Sequence, residues 1–366
     1  MPSDKAKSYW RHKYSVTFVS LAVSFVFLSV FQLSGSSAAI RASASKFTEN
    51  FYITCLIYIS VFSLTYGAVM FPLDFYEGYA IERRFGLSNQ SLASWLKDEA
   101  KKSAISFAFF LFLIEAFYAI ARCFPATWTL AASLFWITLS VVLAKVFPLA
   151  IIPIFYRYSP LSSQDLKKKV LHLADKFGIK VLDVFEIDFS TKTKKSNAAV
   201  VGWGGSRRVI LADNLVNEFS TEEAGVVVAH EMAHHKRGHM WKLIAFNAIS
   251  IFLFFILLDK LLLPLASRHN PNAFLDLSFF PLVYMFFMAY EFLMMPIYNW
   301  FSRRLETEAD IMALRATGSR DAFISMMQKL ASKNLADTSP NPIIEWLLYS
   351  HPPISKRIEL AKNLRL

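Results

Sequence analysis

The chain has 366 residues, of which 55% are hydrophobic, 16% aromatic and only 18% charged, with a net charge of +11 and a mean hydropathy of +0.37. Length alone would allow two or three soluble domains, but the long, nearly uncharged runs exceed what a globular core needs and exclude that reading. Nucleic acid is excluded as a partner, because no basic stripe with interleaved aromatics occurs in the polar parts; the positive charge reads instead as loop bias and attraction to anionic lipid headgroups.

Six apolar runs are long enough to cross a bilayer as helices, at about 15–35, 51–73, 104–121, 128–156, 243–264 and 278–300. The first is too long for a cleaved signal peptide and lacks a small-residue cleavage site, so it reads as an anchor. Lys5, Lys7, Arg11 and Lys13 precede it, which predicts a cytoplasmic N-terminus. Loops 36–50, 122–127 and 265–277 carry few basic residues, whereas loop 74–103 carries Arg83, Arg84, Lys97, Lys101 and Lys102. Both large polar regions, 157–242 and 301–366, are rich in Lys. Six spans with both termini and these polar regions cytoplasmic satisfy the charge bias throughout, in a bacterial inner membrane rather than the endoplasmic reticulum. The expected class is a mainly α polytopic membrane protein with a cytoplasmic zincin-like α+β domain. Residues 1–157 form a four-span membrane domain with a cytoplasmic loop at 74–103, and 158–366 form a second domain that includes spans 243–264 and 278–300. Cys55 and Cys123 fall in or beside spans without pair spacing and read as packed thiols.

Within the second domain, Ser162 to Phe177 has helical periodicity behind a Ser162/Ser163 cap. Val181–Ile187, Asn197–Trp203 and Arg207–Leu211 read as strands, with Gly204-Gly205 as a tight turn before the third. A helix from about Thr221 is expected to run on into the fifth span. After the sixth span, helices are expected from about Phe301, from Arg320 and after Pro352-Pro353.

The chemistry concentrates in His230-Glu231-Met232-Ala233-His234. Two histidines four residues apart on a helix lie ~40° apart around its axis, so both imidazoles can reach one Zn2+, and the glutamate between them is placed as general base toward water. The competing reading is a solvated helix with incidental histidines. Against it, Gly225–Ala229 is apolar, so this helix is packed. Glu306 supplies a third ligand of the right type, completing the His₂Glu set known for catalytic zinc; its bland alternative is a surface carboxylate paired with Arg303. Asp310, one turn on, is placed to accept from a ligand histidine. His235 and His239 lie ~140° and ~180° from His230 on a continuous helix and point elsewhere. The metzincin pattern needs Gly and His where this chain has Arg237 and Met240, and fails.

These residues, extended by His235-Lys236-Arg237-Gly238-His239 and by Ser302-Arg303-Arg304-Leu305-Glu306-Thr307-Glu308-Ala309-Asp310, resemble the type I CAAX prenyl protease family of integral-membrane zinc metalloproteases. Phe71-Pro72 with Ile81-Glu82-Arg83-Arg84-Phe85-Gly86-Leu87-Ser88-Asn89, Ser196-Asn197-Ala198-Ala199, and His351-Pro352-Pro353 with Arg357 resemble further blocks of the family in the same order, over roughly 60–360. The resemblance implies one zinc held by His230, His234 and Glu306, and Glu231 acting as base and acid. It also implies that Asn197 and Ala198 lie on an edge strand where substrate backbone pairs, that His351 stabilises the oxyanion, and that Arg357 belongs to the substrate-binding block. The plain alternatives are a turn residue for His351 and a turn amide for Asn197. Eukaryotic members generally have seven spans and this chain shows six. A water-filled chamber enclosed by the helices is a further implication, with Glu115, Lys145, Asp259, Lys260 and Glu291 in or near the apolar runs facing it or pairing between helices. The implied partners are membrane lipids and a peptide or protein substrate, either a prenylated C-terminus or a misassembled membrane protein as for the heat-shock-induced relatives. A non-catalytic membrane scaffold or transporter is the rival of a different class, and the retained Glu231 argues against it.

Overall fold

The computed structural model describes residues 4–202, 205, 207–266 and 275–365. Helix α1 (Asp4–Leu33) leads through a short α2 (Ser36–Ala44) to α3 (Phe51–Phe75), which passes by a π turn into α4 (Ile81–Arg84). Asn50 starts α3 by accepting from the amides of Tyr52 and Ile53, as an N-cap should. Then come α5 (Leu92–Cys123), α6 (Trp128–Val146) and, after another π turn, α7 (Ile152–Phe155). Among the described residues, six helical stretches are long and apolar enough to span a membrane, two of them in the second half of the chain. They join around an aromatic cluster that includes Tyr58, Phe62, Phe117, Trp128, Phe255 and Phe280. Asp259 and Lys260 pair with each other at 2.9 Å, and Trp128 donates to Asp259 at 3.2 Å, so this charged couple joins two spans. Cys55 is buried as expected, but Cys123 is exposed: it ends α5 and faces outward rather than packing.

The polar part begins with β1 (Tyr158–Pro160), a three-residue strand too short to leave a periodic signal. Helix α8 (Gln164–Phe177) starts where Ser163 accepts from the amide of Leu166. The strands β2 (Asp183–Ile187), β3 (Ala198–Val201) and β4 (Arg208–Ala212) come next, close to the ranges expected. Trp203, at the expected end of the second of these, and Gly204, in the expected turn, lie outside the described residues. The sheet order is β1-β2-β4-β3, with β2 parallel to β4 and the outer pairs antiparallel, so β3 lies at an edge. Helices α9 (Asp213–Glu218) and α10 (Thr221–Lys236) come after the sheet. α10 is buried along Val226, Val228, Ala229, Met232 and Ala233 in a core shared with α8, the sheet and the later helices. Its start is a capping box: Ser220 and Glu223 exchange side-chain and backbone bonds, and Glu223 also accepts from Ser325 and Lys329 at 2.6 Å.

Two expectations about helix continuity are reversed. α10 does not run into the fifth span: Gly238, at φ 63°, ends it, and α11 (His239–Leu257) starts anew, continuing through a π turn to α12 (Leu263–Ala266). Glycine takes this left-handed conformation without the Cβ clash other residues meet. Conversely, no new helix begins at Phe301. α13 runs unbroken from Phe280 to Thr317, 38 residues and about 57 Å at 1.5 Å per residue. α14 (Arg320–Lys333), α15 (Pro342–Leu348) and α16 (Ile354–Asn363) complete the chain.

A carboxylate joins the membrane part to the sheet. Glu82 accepts from Tyr9 at 2.6 Å and pairs with Lys13 at 3.2 Å and Lys195 at 2.9 Å. Beside it, the backbone of Leu87–Asn89 pairs with that of Lys192–Lys194, through bonds from Asn89 to Lys192 and from Lys194 to Leu87, both 2.9 Å. This is the segment that leads into β3. Glu82 is 13% exposed, so removing its charge leaves two ammonium groups facing each other in a half-dry site. Glu82→Gln is expected to cost about 2 kcal/mol, below the range for a fully buried pair, and to lower the thermal unfolding midpoint; an unchanged midpoint would show that the network is slack.

Candidate metal centre

α10 and α13 cross so that the imidazoles of one meet the carboxylates of the other. His230 Nε2 and His234 Nε2 are 3.1 Å apart. Glu306 Oε2 is 3.1 Å from His230 Nε2, and Glu306 Oε1 is 3.4 Å from His234 Nε2. Each residue offers one ligand atom and all three atoms converge. Ligands ~2.0–2.1 Å from a tetrahedral ion stand about 3.4 Å from one another, so the three spacings match the edges of such a polyhedron. Glu306 is 7% exposed, and its Oε2 is buried without a hydrogen-bond partner. The pairing with Arg303 does not occur: Arg303 donates instead to the carbonyls of Glu345 and Tyr349.

Each ligand histidine has a carboxylate behind it. Asp310 is fully buried, and its Oδ1 stands 2.9 Å from His230 Nδ1. Arg357 holds that carboxylate from the other side, through Nε at 2.7 Å and Nη2 at 2.6 Å. His234 is reached indirectly: its Nδ1 lies 3.0 Å from His239 Nδ1, and His239 Nε2 lies 3.1 Å from Glu308. The break at Gly238 makes this possible, because an unbroken helix would carry His239 to the far side. His235 turns to the edge strand, its Nε2 2.8 Å from the carbonyl of Val200.

The electrostatics stem from this seam. Burial lowers the proton affinity of His230, but Asp310 and Glu306 outweigh it and raise its pKa to about 9. Burial, with His230 close by, pushes His234 down to about 3. Glu231 is pushed up to about 7, mainly by burial. Carboxylates that draw a proton onto His230 draw a divalent cation more strongly, and the cation displaces that proton on binding. The donor set therefore fits a metal ion.

One cavity of about 200 Å³ beside the seam gathers the remaining expected residues: Asn197, Ala198, Glu231, His351 and Arg357 all line it. Asn197 precedes β3 and folds its Oδ1 onto the amide of Ala198 at 2.8 Å. His351 stands on the rim, 57% exposed, with Nε2 3.4 Å from Glu306 Oε1. Arg357 is committed largely to Asp310. The lining is also apolar in part, from Val227, Met326, Met327 and Leu330. The expectation that His239 points away from the centre is overturned, because the helix is broken at Gly238, and Glu308, to which the sequence reading gave no role, joins the centre through it. The available clue is Gly238, which signals a helix stop and so a change of face for the residues beyond it.

Partners behind a ligand histidine fix its tautomer and ring plane, and their loss typically costs 10- to 100-fold, at order-of-magnitude level, in metal affinity. His239 is 1% exposed. His239→Phe is expected to weaken metal binding by about that factor with the fold retained, and Glu308→Gln to act in the same direction but less. Titration with a competing chelator measures both; wild-type affinity in His239→Phe would remove His239 from the site.

Comparison with known proteins adds the lineage. The model of peptidase family M48 matches residues 160–365, and that of the CAAX prenyl protease N-terminal region, described as five membrane helices, matches residues 3–157. Four span-length apolar helices occupy that second range here. The uncharacterized metalloprotease YhfN of Bacillus subtilis is 29% identical, over 98% of this chain and 85% of its own length. CAAX prenyl protease 1 of Saccharomyces cerevisiae is 27% identical, over 83% and 71%. The crystal structure of S. mikatae Ste24p superposes with a TM-score of 0.86 at 25% identity, covering 98% of this chain and 88% of that one. With a convergent His-His-Glu seam, six spans and a family match over most of its length, the chain belongs to peptidase family M48 and is a multi-pass membrane metalloprotease.

Proposed function

We propose that the chain is a zinc endopeptidase that cleaves near the C-terminus of prenylated proteins, with His230, His234 and Glu306 holding one zinc and Glu231 acting as general base. The observation that carries the reading is the convergence of the three donors beside a cavity that also contains Glu231, Asn197, Ala198 and His351. Zinc held there supplies Lewis acidity to the scissile carbonyl and to water. Glu231 takes a proton from the attacking water and returns it to the leaving amine. Short of the Val200 carbonyl, which His235 occupies, substrate backbone adds to the edge of β3 at Asn197 and Ala198, and this presents its carbonyl toward the seam. His351 donates to the oxygen on which charge develops. Asp310, fixed by Arg357, keeps His230 in one tautomer. The apolar wall at Val227, Met326 and Met327 receives an aliphatic side chain.

The prenylated class is supported by the name of the yeast relative, CAAX prenyl protease 1, and by the two family matches end to end. The cytoplasmic orientation of the site and of both termini is supported by the basic residues before the first span and in the polar regions, and a bacterial inner membrane by the Bacillus relative. The division into a membrane domain to residue 157 and a metallopeptidase domain from 158 is supported by the meeting point of the two family matches.

Purified Glu231→Gln is expected to retain stoichiometric zinc and to lose about 10²- to 10⁴-fold in peptide cleavage, the range for a lost general base. Equal cleavage by wild type and variant would sink the mechanism, and a wild type without metal would favour a scaffold. His351→Ala is expected to lower kcat by about 10²-fold with KM little changed, as for a lost oxyanion donor. Peptides matched in sequence, prenylated and unprenylated, test the substrate class: equal kcat/KM for the two would shift the reading to quality-control proteolysis.

A further inference from the structure

The short helix α15 is amphipathic in an unusual sense. Leu347 is buried, yet Ile343 and Trp346, three positions apart on one face, are 69% and 56% exposed. In water, two large apolar side chains would gain by turning inward, and nothing among the described residues covers them. The position of the helix explains what does.

The residues that hold it come from the ends of two apolar runs. On α13, Asn299 donates to the carbonyl of Leu347 at 2.6 Å and Arg303 donates to the carbonyls of Glu345 and Tyr349. Asn299 lies at the end of the apolar run 278–300. On α1, the Tyr14 hydroxyl meets that of Tyr349 at 2.6 Å, and Tyr14 immediately precedes the apolar run 15–35. Two spans that come from opposite ends of the chain thus place α15 at the same depth. The outward face of α13 at this level continues with Leu293, Ile297 and Trp300, all exposed, and Arg304 caps it over the Trp300 ring at 4.1 Å. An apolar stripe closed by Trp and Arg marks a lipid-facing surface reaching the headgroups.

We propose that α15 is an interfacial anchor, with Ile343 and Trp346 seated in the headgroup–acyl boundary of the leaflet on the side of the metal centre. The occupant of this face is the bilayer itself, continuous with the lipid around α13. Trp suits the site because its ring is apolar while its N–H can bond to water or a headgroup. The anchor has a consequence for the centre: Tyr349 to His351 come directly after α15, so the depth of α15 sets where His351 stands against Glu306. The depth itself rests only on the chain's being a membrane protein, and is independent of the role proposed for His351.

The test uses the full chain in vesicles of phosphatidylcholine and phosphatidylglycerol. A nitroxide is attached at Ile343→Cys or Trp346→Cys in a Cys123→Ser background, Cys55 being buried. Leu293→Cys serves as the lipid reference and Lys168→Cys, 80% exposed on α8, as the aqueous one. The ratio of collisions with oxygen to collisions with a water-soluble nickel chelate is expected to be several-fold higher at 343 and 346 than at 168, and below that at 293. A ratio equal to that at 168, or spin–spin broadening from a second copy, overturns the proposal. The unlabelled chain gives a second reading: quenching of tryptophan fluorescence by lipids brominated near the headgroups is expected to fall in Trp346→Phe. No fall would also overturn it.

Discussion

The seam between α10 and α13 is the constraint on which the rest of the molecule depends. Three imidazoles from either side of a helix break, His230, His234 and His239, face three carboxylates spaced along one helix, Glu306, Glu308 and Asp310. Lone-pair donors that converge at 3.1 to 3.4 Å repel unless a cation or protons lie between them. The packing that brings them together is apolar and comes from the core around Met232, Ala233, Ala309 and Ala313. The core thus holds together a set of charges that would separate on their own, and a bound cation turns that opposition into stabilisation. The folded state and the metal-loaded state are therefore coupled.

The coupling extends to the membrane because α13 is one helix. Its apolar half lies among the spans, and Glu306 sits six residues past position 300, about 9 Å farther along the axis. The helix continues through Pro296 without a break in its assignment, and its stop is Gly318. One continuous helix thus carries both the exposed apolar stripe at Leu293, Ile297 and Trp300 and the third ligand, so the distance between them along the axis is set by the helix itself. Glu82 gives a second tie, from α1 and α4 to the segment before β3, so the edge strand and the metal seam are registered to the membrane independently.

Legibility in the sequence depends on the range of the interactions involved. The spans, the helix α8 and the pair His230 and His234 depend on periodicity within a few turns, and their sequence reading matches the structure. Glu306 and Asp310 are legible because their chemistry and i, i+4 spacing are local, although their partners are distant. Gly238 and Gly318 are both visible stops, yet hydropathy carries α10 past the first and breaks α13 at Phe301, short of the second. Hydropathy drops at Phe301 while helical propensity does not, so a change of solvent reads as a change of structure. The His239–Glu308 link is signalled only by the stop at Gly238, and the Glu82 network by nothing local. Tyr9 and Lys195 are 186 positions apart, and nothing local in either distinguishes it from a surface residue.

The height of the centre also constrains what can reach it. An extended chain advances ~3.3–3.6 Å per residue, so the about 9 Å between position 300 and Glu306 is spanned by roughly three residues. A peptide bond that near the bilayer is presented by a segment itself held at the membrane, and a folded domain in solution would have to unravel to offer one. Holding the substrate at the surface by a lipid group converts the second contact into an intramolecular one, at an effective concentration that a free peptide does not attain. On the proposed substrate class, the lipid group then contributes through placement as well as through any contact of its own. On that same proposed class, a centre at this position along α13 favours chain ends anchored beside it, through placement alone.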